Sequence, residues 1–172
     1  MRVGIDLDGV VYPWHETIHR YFVENKGYEK DIKEFWLKDK HLITDYYVTI
    51  PFLYNNTTPR KDVLEYLPKI AELGEIYYIT SRHPDLWQVT KKFFQFYDLP
   101  FKENVIFDGD KATQVRLLKI DYFLDDMPKN IDSLSGITNA YLFHCVHNLE
   151  QREGYKTVAN MKEFYNILWE RA

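Results

Sequence analysis

The sequence is short of the features that mark several protein classes. Cys145 is its one cysteine, so no internal disulfide framework staples the chain, and a reducing, cytoplasmic setting is the expectation. No apolar run approaches the roughly 20 residues that a membrane-spanning helix needs. Met1 leads directly into RVGIDLDG, with neither the basic flank and apolar stretch of a signal peptide nor an Arg/Ser-rich transit pattern. Positive charge is scarce too: 22 Lys and Arg against 26 Asp and Glu leave a formal net charge of -4. That excludes the broad basic field by which proteins hold extended nucleic acid through counterion release. A small phosphorylated substrate stays open. Internal repeats, low-complexity tracts and long charge runs are also missing.

What is present suits one compact domain, or one carrying a small insertion: 172 residues, 45% of them apolar. Short apolar runs at Val3–Ile5, Ile76–Ile79, Val105–Phe107, Tyr122–Leu124 and Ala140–Phe143 read as buried strands. Helical patterns alternate with them. Val63, Leu64, Leu67, Ile70 and Ala71 share one face, with Thr58 as expected N-cap, Pro59 at the first helical position and Gly74 as the stop. Leu86, Val89, Phe93 and Tyr97 repeat the pattern after Pro84, and Asn160 to Arg171 reads as a final covering helix. Parallel strands need crossovers, so the alternation predicts a Rossmann-like α/β fold, a parallel sheet with helices on both faces.

One stretch breaks the rhythm. Residues 13–57 hold no clear buried strand and are too many for an ordinary loop. Their aromatics (Trp14, Tyr21, Phe22, Phe35, Trp36, Tyr46, Tyr47, Phe52) are partly helix-periodic, so the segment is expected to be a small helical cap. Residues 1–12 and 58–172 then form the core domain. Much of the 17% aromatic content is thereby assigned to packing.

Sites in open α/β sheets lie outside the carboxyl ends of the strands. There the chain delivers Asp6-Leu7-Asp8-Gly9-Val10, Thr80-Ser81-Arg82, Asp108-Gly109-Asp110-Lys111 and Asp125-Asp126. Each residue type has work in phosphoryl transfer, where a protein mainly positions groups and neutralises charge. A hard cation such as magnesium takes oxygen ligands, which Asp6 and Asp126 supply. A carboxylate nucleophile and a phosphate repel each other unless that cation and Lys111 screen them. Thr80 can donate to a phosphoryl oxygen, and Asp8 can protonate the leaving oxygen and then deprotonate a water.

Each element alone has a bland explanation. DG is a common turn dipeptide, a lone lysine is usually solvated, a threonine at a strand end usually caps, and paired aspartates could cap a helix near Pro128. Their joint occurrence in order is what favours chemistry. DLDGVV and DGDKATQ imitate calcium loops but lack the later acidic, glycine and glutamate positions. His144, Cys145 and His147 suggest zinc, yet neighbours 144 and 145 point to opposite faces of a continuing strand and no second pair has ligand spacing. His15, His19, His41 and His83 read as surface or cap residues.

With these residues in view, the order of motifs resembles the haloacid dehalogenase superfamily: DLDGV matches its first motif, Thr80 its second, Lys111 its third and Asp125-Asp126 its fourth. The resemblance implies Asp6 as nucleophile, Asp8 as acid/base that also lends its main-chain carbonyl to Mg2+, and Asp126 as chief carboxylate ligand, with Asp125 less defined. DKATQVRLLKIDYFLDDMP and YLFHCVHN are similar to the 5'(3')-deoxyribonucleotidases, which also carry a helical cap after motif one. That family's base pocket has an aromatic residue eight positions after the nucleophile. Here it is Trp14, which either stacks on a base or belongs to cap packing.

Ser81 and Arg82 fall beside the substrate. Arg82, which departs from the animal enzymes, either grips phosphate or sugar or braces its loop. The resemblance also allows a homodimer. Rival readings are a phosphatase for sugar phosphates or nucleic-acid 3'-phosphate ends and, from another class, a phospho-accepting receiver domain, for which the motif order is wrong.

Overall fold

The apolar runs become parallel strands. In the computed structural model, which describes residues 1–43, 53–54 and 57–172, these are β1 (Arg2–Ile5), β2 (Glu75–Thr80), β3 (Val105–Phe107), β4 (Tyr122–Asp125) and β5 (Asn139–Phe143). A sixth strand, β6 (Thr157–Val158), extends the edge beside β5. Two residues with no apolar run around them gave no sequence signal for it. The order is β3-β2-β1-β4-β5-β6, every pairing parallel.

This order decides where a ligand can bind. The chain moves outward from β1 through β2 to β3, then crosses back to place β4 on the other side of β1, leaving a crevice at the carboxyl ends of β1 and β4. A receiver domain follows the order 2-1-3-4-5, with strand three beside strand one. Here β2 and β4 flank β1, so the receiver reading is discarded.

After α1 (Trp14–Lys26), which belongs to the insertion, helices cover both faces: α2 (Lys61–Leu73), α3 (Trp87–Phe96), α4 (Lys111–Leu118), α5 (Pro128–Leu134) and α6 (Met161–Trp169). Val3 and Ile5 pack with Val63, Leu67 and Ile70 of α2, Phe93 of α3 and Phe164 of α6. On the opposite face Ile79 and Phe123 pack with Val115 of α4 and Leu134 of α5. Gly4 permits the sheet to meet Phe123 closely, since a Cβ there would lie 2.2 Å from Phe123 Cδ2. The expected start of α2 needs correction. Thr58 does not cap it: its Oγ1 accepts from Tyr97 Oη at 3.3 Å, and the helix begins after Arg60, whose extended ψ of 146° keeps it outside.

The insertion carries its own small core. After α1 come the helical turns Ile32–Glu34, Phe35–Asp39 and Lys40–Ile43, and Ile18, Phe22, Phe35, Trp36, Ile43 and Leu53 are buried together. Asp31 caps the first turn by accepting from Glu34 N at 2.8 Å. Trp14 touches both this cluster and the main one. Tyr46, Tyr47 and Phe52 lie outside the described residues. No helix among the described residues is long and apolar enough to cross a membrane.

Candidate active site

At the switch-point crevice the strands hand over their acids. Asp6 follows the last residue of β1, and its amide donates to Leu124 O of β4 at 2.9 Å, which ties the two strand ends together. Asp125 ends β4 and Asp126 follows it. Lys111 reaches them from across the sheet as the first residue of α4, a helix whose start is fixed by Asp110 accepting from Thr113 N at 3.1 Å. Asp108 accepts from Asp110 N at 2.8 Å and from Gln114 at 2.7 Å, so the acids of this loop build the turn and leave the lysine to point inward. Lys111 Nζ donates to Asp6 Oδ1 at 2.5 Å and to Asp125 Oδ2 at 2.6 Å.

Carboxylate oxygens of Asp6, Asp125 and Asp126 all lie within 4.8 Å of one another. All three are buried, as is Lys111. Burial raises the Asp6 carboxyl to about 7; Lys111 opposes the rise and Asp125 adds to it. Asp126 is pushed well above the usual carboxylate range by burial and then by Asp6 and Asp125. Burial acts to lower Lys111, but Asp125 and Asp6 outweigh it and hold the ammonium charged. Three buried carboxylates beside one ammonium are short of positive charge, and their all-oxygen donor set suits a hard divalent cation. Asp125 is the most occupied of the three, since Met127 N (2.8 Å) and Asn130 Nδ2 (3.0 Å) also donate to it.

Gly9 makes room for this arrangement. Its φ is +93°, and a Cβ there would fall 1.8 Å from Asp126 Oδ2, so a side chain is excluded both by backbone and by space. Asp8 stands at the rim, with both carboxylate oxygens taken by Arg82: Nη2 donates to Oδ1 at 2.6 Å and Nε to Oδ2 at 2.9 Å. The buried guanidinium also donates to Thr90 Oγ1 at 2.8 Å and lies over the rings of Tyr12 and Tyr54. These contacts favour bracing over gripping for Arg82. Thr80 is buried with its Oγ1 accepting from Arg82 N at 3.2 Å, while Ser81 is exposed.

Asp6, Asp8, Trp14, Thr80, Ser81, Arg82, Lys111 and Asp126 line one cavity of about 150 Å³, so eight of the nine residues singled out in the sequence border a common space. A larger cavity of about 490 Å³ between Tyr54 and α3 contains none of the carboxylates.

The family of 5' nucleotidase, deoxy (pyrimidine), cytosolic type C proteins matches this chain over residues 1–172. The chain belongs to this nucleotidase family. A nucleotidase of Clostridium acetobutylicum is 25% identical over 148 residues, 78% of this chain and 75% of that protein. A HAD family hydrolase from Deinococcus radiodurans, solved with bound phosphate and sodium, superposes with a TM-score of 0.69 at 12% identity, covering 98% and 95% of the two chains. A HAD-superfamily hydrolase from Geobacter sulfurreducens gives 0.65 at 10% identity, covering 97% and 95%. The chain is thus a hydrolase of the nucleotidase type on a haloacid dehalogenase-like fold.

Sequence reasoning missed several residues around this nucleotidase site. Asn148 is fully buried and donates to Asp126 O at 2.7 Å and Phe143 O at 2.8 Å, fixing the main chain that carries Asp126. Asn130 holds Asp125. His15 and His147 stack at 4.2 Å beside Asp126. His147 and Asn148 had a signal, as the last two residues of YLFHCVHN; Asn130 and His15 are ordinary residues until the fold assembles them.

The raised carboxyls predict how the nucleotidase's stability depends on pH. A folded value above the ordinary 3.8 means that Asp6 contributes stability at low pH and loses it as pH rises from about 4 through about 7. Cations bind the ionised carboxylates and release protons. Thermal melts with Mg2+, set against melts in chelator, should therefore show the cation raising the melting temperature more at pH 8 than at pH 5, by at least about 3 °C. An equal effect at both values would disconnect the cation from these acids.

Proposed function

We propose that the protein hydrolyses nucleoside monophosphates, deoxynucleotides foremost, through a phosphorylated Asp6 and with Mg2+ held by Asp6, Asp126 and the main-chain carbonyl of Asp8. The observation that carries this reading is the contact of Lys111 with both Asp6 and Asp125, beside Asp126, at the switch-point crevice. The cation, when bound, supplies the positive charge that lets a carboxylate approach a phosphate.

In the first half-reaction an Asp6 oxygen attacks phosphorus, the bond to the ester oxygen breaks, and Asp8 gives its proton to the departing alkoxide. In the second, water attacks phosphorus, Asp8 takes the proton, and the Asp6–phosphorus link breaks to release phosphate. Lys111 and the Thr80 hydroxyl hold phosphoryl oxygens. For Asp8 to carry a proton, one of its oxygens has to leave Arg82, so substrate entry loosens that pair. A cavity of about 150 Å³ suits a phosphoryl group and part of a sugar, and the base then extends toward Trp14, which also lines it. A reducing cytoplasmic setting agrees with the free thiol of Cys145.

Incubating the protein with a panel of nucleotides, sugar phosphates and a 3'-phosphorylated oligonucleotide, with and without Mg2+, tests the reading. Nucleoside monophosphates should be turned over fastest, and only with the cation. In the same assay Trp14→Ala should raise KM for nucleotides about 5- to 150-fold, the equivalent of a stacking energy of about 1 to 3 kcal/mol, and leave KM for a small phosphate ester nearly unchanged. Equal increases for both would assign Trp14 to cap packing alone.

A further inference from the structure

Behind the carboxylate cluster lies a second group with a different chemical character. His15 enters from α1, Asp126 from the end of β4, and Cys145 and His147 from the segment after β5. One ligand atom from each lies within 4.8 Å of those from the others. His15 Nδ1 is 3.8 Å from Asp126 Oδ2, and His147 Nε2 is 3.7 Å from the same oxygen. Bond lengths of about 2.0 to 2.3 Å place the ligand atoms of a tetrahedral zinc roughly 3.3 to 3.8 Å apart. His144 is not part of this group; Cys145 precedes the short helical turn Val146–Asn148 that carries His147.

Three polar atoms of this group lack partners. His15 Nδ1, His147 Nδ1 and Asp126 Oδ2 are buried and accept or donate no hydrogen bond among the described residues. The side chains of His15 and Asp126 are 8% and 2% exposed. Buried groups left unsatisfied destabilise a fold, and native folds carry few of them. Here two of them, His15 Nδ1 and Asp126 Oδ2, face each other at 3.8 Å, with the His147 ring stacked on that of His15. His147 Nε2 donates to Asp126 O at 3.1 Å, which leaves Nδ1 as the ring nitrogen with a free lone pair.

We infer that His15, Cys145, His147 and Asp126 Oδ2 form a second cation site, for one zinc-like divalent ion, with the Asp126 carboxylate shared between it and the magnesium site. Two imidazoles, a thiol and one carboxylate oxygen favour zinc, cobalt(II) or iron(II) over magnesium, which prefers oxygen ligands. Binding replaces the Cys145 S–H that now donates to Gly9 O at 3.0 Å, and that proton leaves to solvent. Arg60, 3.8 Å from Sγ and paired with Glu16 at 2.8 Å, stands by to stabilise the thiolate. Because Asp126 belongs to both groups, occupancy of one site bears directly on the other.

Cobalt(II) titration of the metal-stripped full chain tests this by absorption, independently of turnover. One equivalent should give a near-ultraviolet thiolate-to-cobalt band together with intense visible bands of tetrahedral cobalt, in the presence of excess Mg2+ as well. Asp6→Asn should keep the bands while losing phosphate release, which separates failure of this site from failure of the catalytic reading. Cys145→Ser should remove the thiolate band, and His147→Gln should weaken binding by about 100-fold or more. Circular dichroism of both variants reports whether they fold. A wild-type chain that binds cobalt without a thiolate band overturns the inference whatever the variants do, as does a folded Cys145→Ser variant with the wild-type spectrum.

Discussion

Asp6→Asn should stop phosphate release from every substrate, with a loss on the order of 10⁴-fold or more. An amide has the shape of the carboxylate but neither its charge nor its nucleophilic oxygen, so the phosphoryl group has nothing to transfer to. The variant should nevertheless fold. Asp6 is a buried acid whose ionised form is disfavoured, and removing it spares the fold a charge while Lys111 keeps Asp125 at 2.6 Å. In chelator at pH 8 the variant should therefore melt no lower than wild type. Steady-state phosphate release and a thermal melt together check the expectation. Release at the wild-type rate would remove Asp6 as nucleophile.

Lys111→Met should be the most destabilising single change at the site. The methionine occupies similar volume, but Asp6 and Asp125 both lose their cationic partner in a buried setting. Stranding a buried charge by deleting its partner costs about 3 to 5 kcal/mol. A drop of that size should appear as a lower urea midpoint at unchanged slope. Mg2+ should recover part of it, since another cation can neutralise the same acids, but activity should stay lost because no ammonium meets the phosphate. Lys111→Arg should not restore activity, as its planar fork is a poor replacement for a compact ammonium between two carboxylates. A urea midpoint equal to that of wild type would mean that the lysine is not embedded between these acids.

The strands and the motifs that gather at their ends were legible because both are local. Val3–Ile5 and Val105–Phe107 announce buried strands by unbroken apolar runs, and a parallel fold brings strand ends to one edge whatever the loops do. The cap was legible as an aromatic surplus without strand pattern, although which aromatic does what was not. β6 was illegible: its two residues take their conformation from β5 alongside. The start of α2 was misread because Thr58 is drawn to Tyr97, a residue 39 positions away.

The sequence alone determined the chemical type of the groups at the strand ends, their order along the chain and the parallel sheet that collects them, since all follow from residue type and short-range periodicity. Only the tertiary structure decided which partners those groups face. The Arg82 clasp on Asp8 spans 74 positions, and the cluster of His15, Asp126 and Cys145 joins three distant segments. Charge pairing and ligand convergence depend on distances of a few ångströms between side chains, and one-dimensional spacing carries no record of those until the chain has folded.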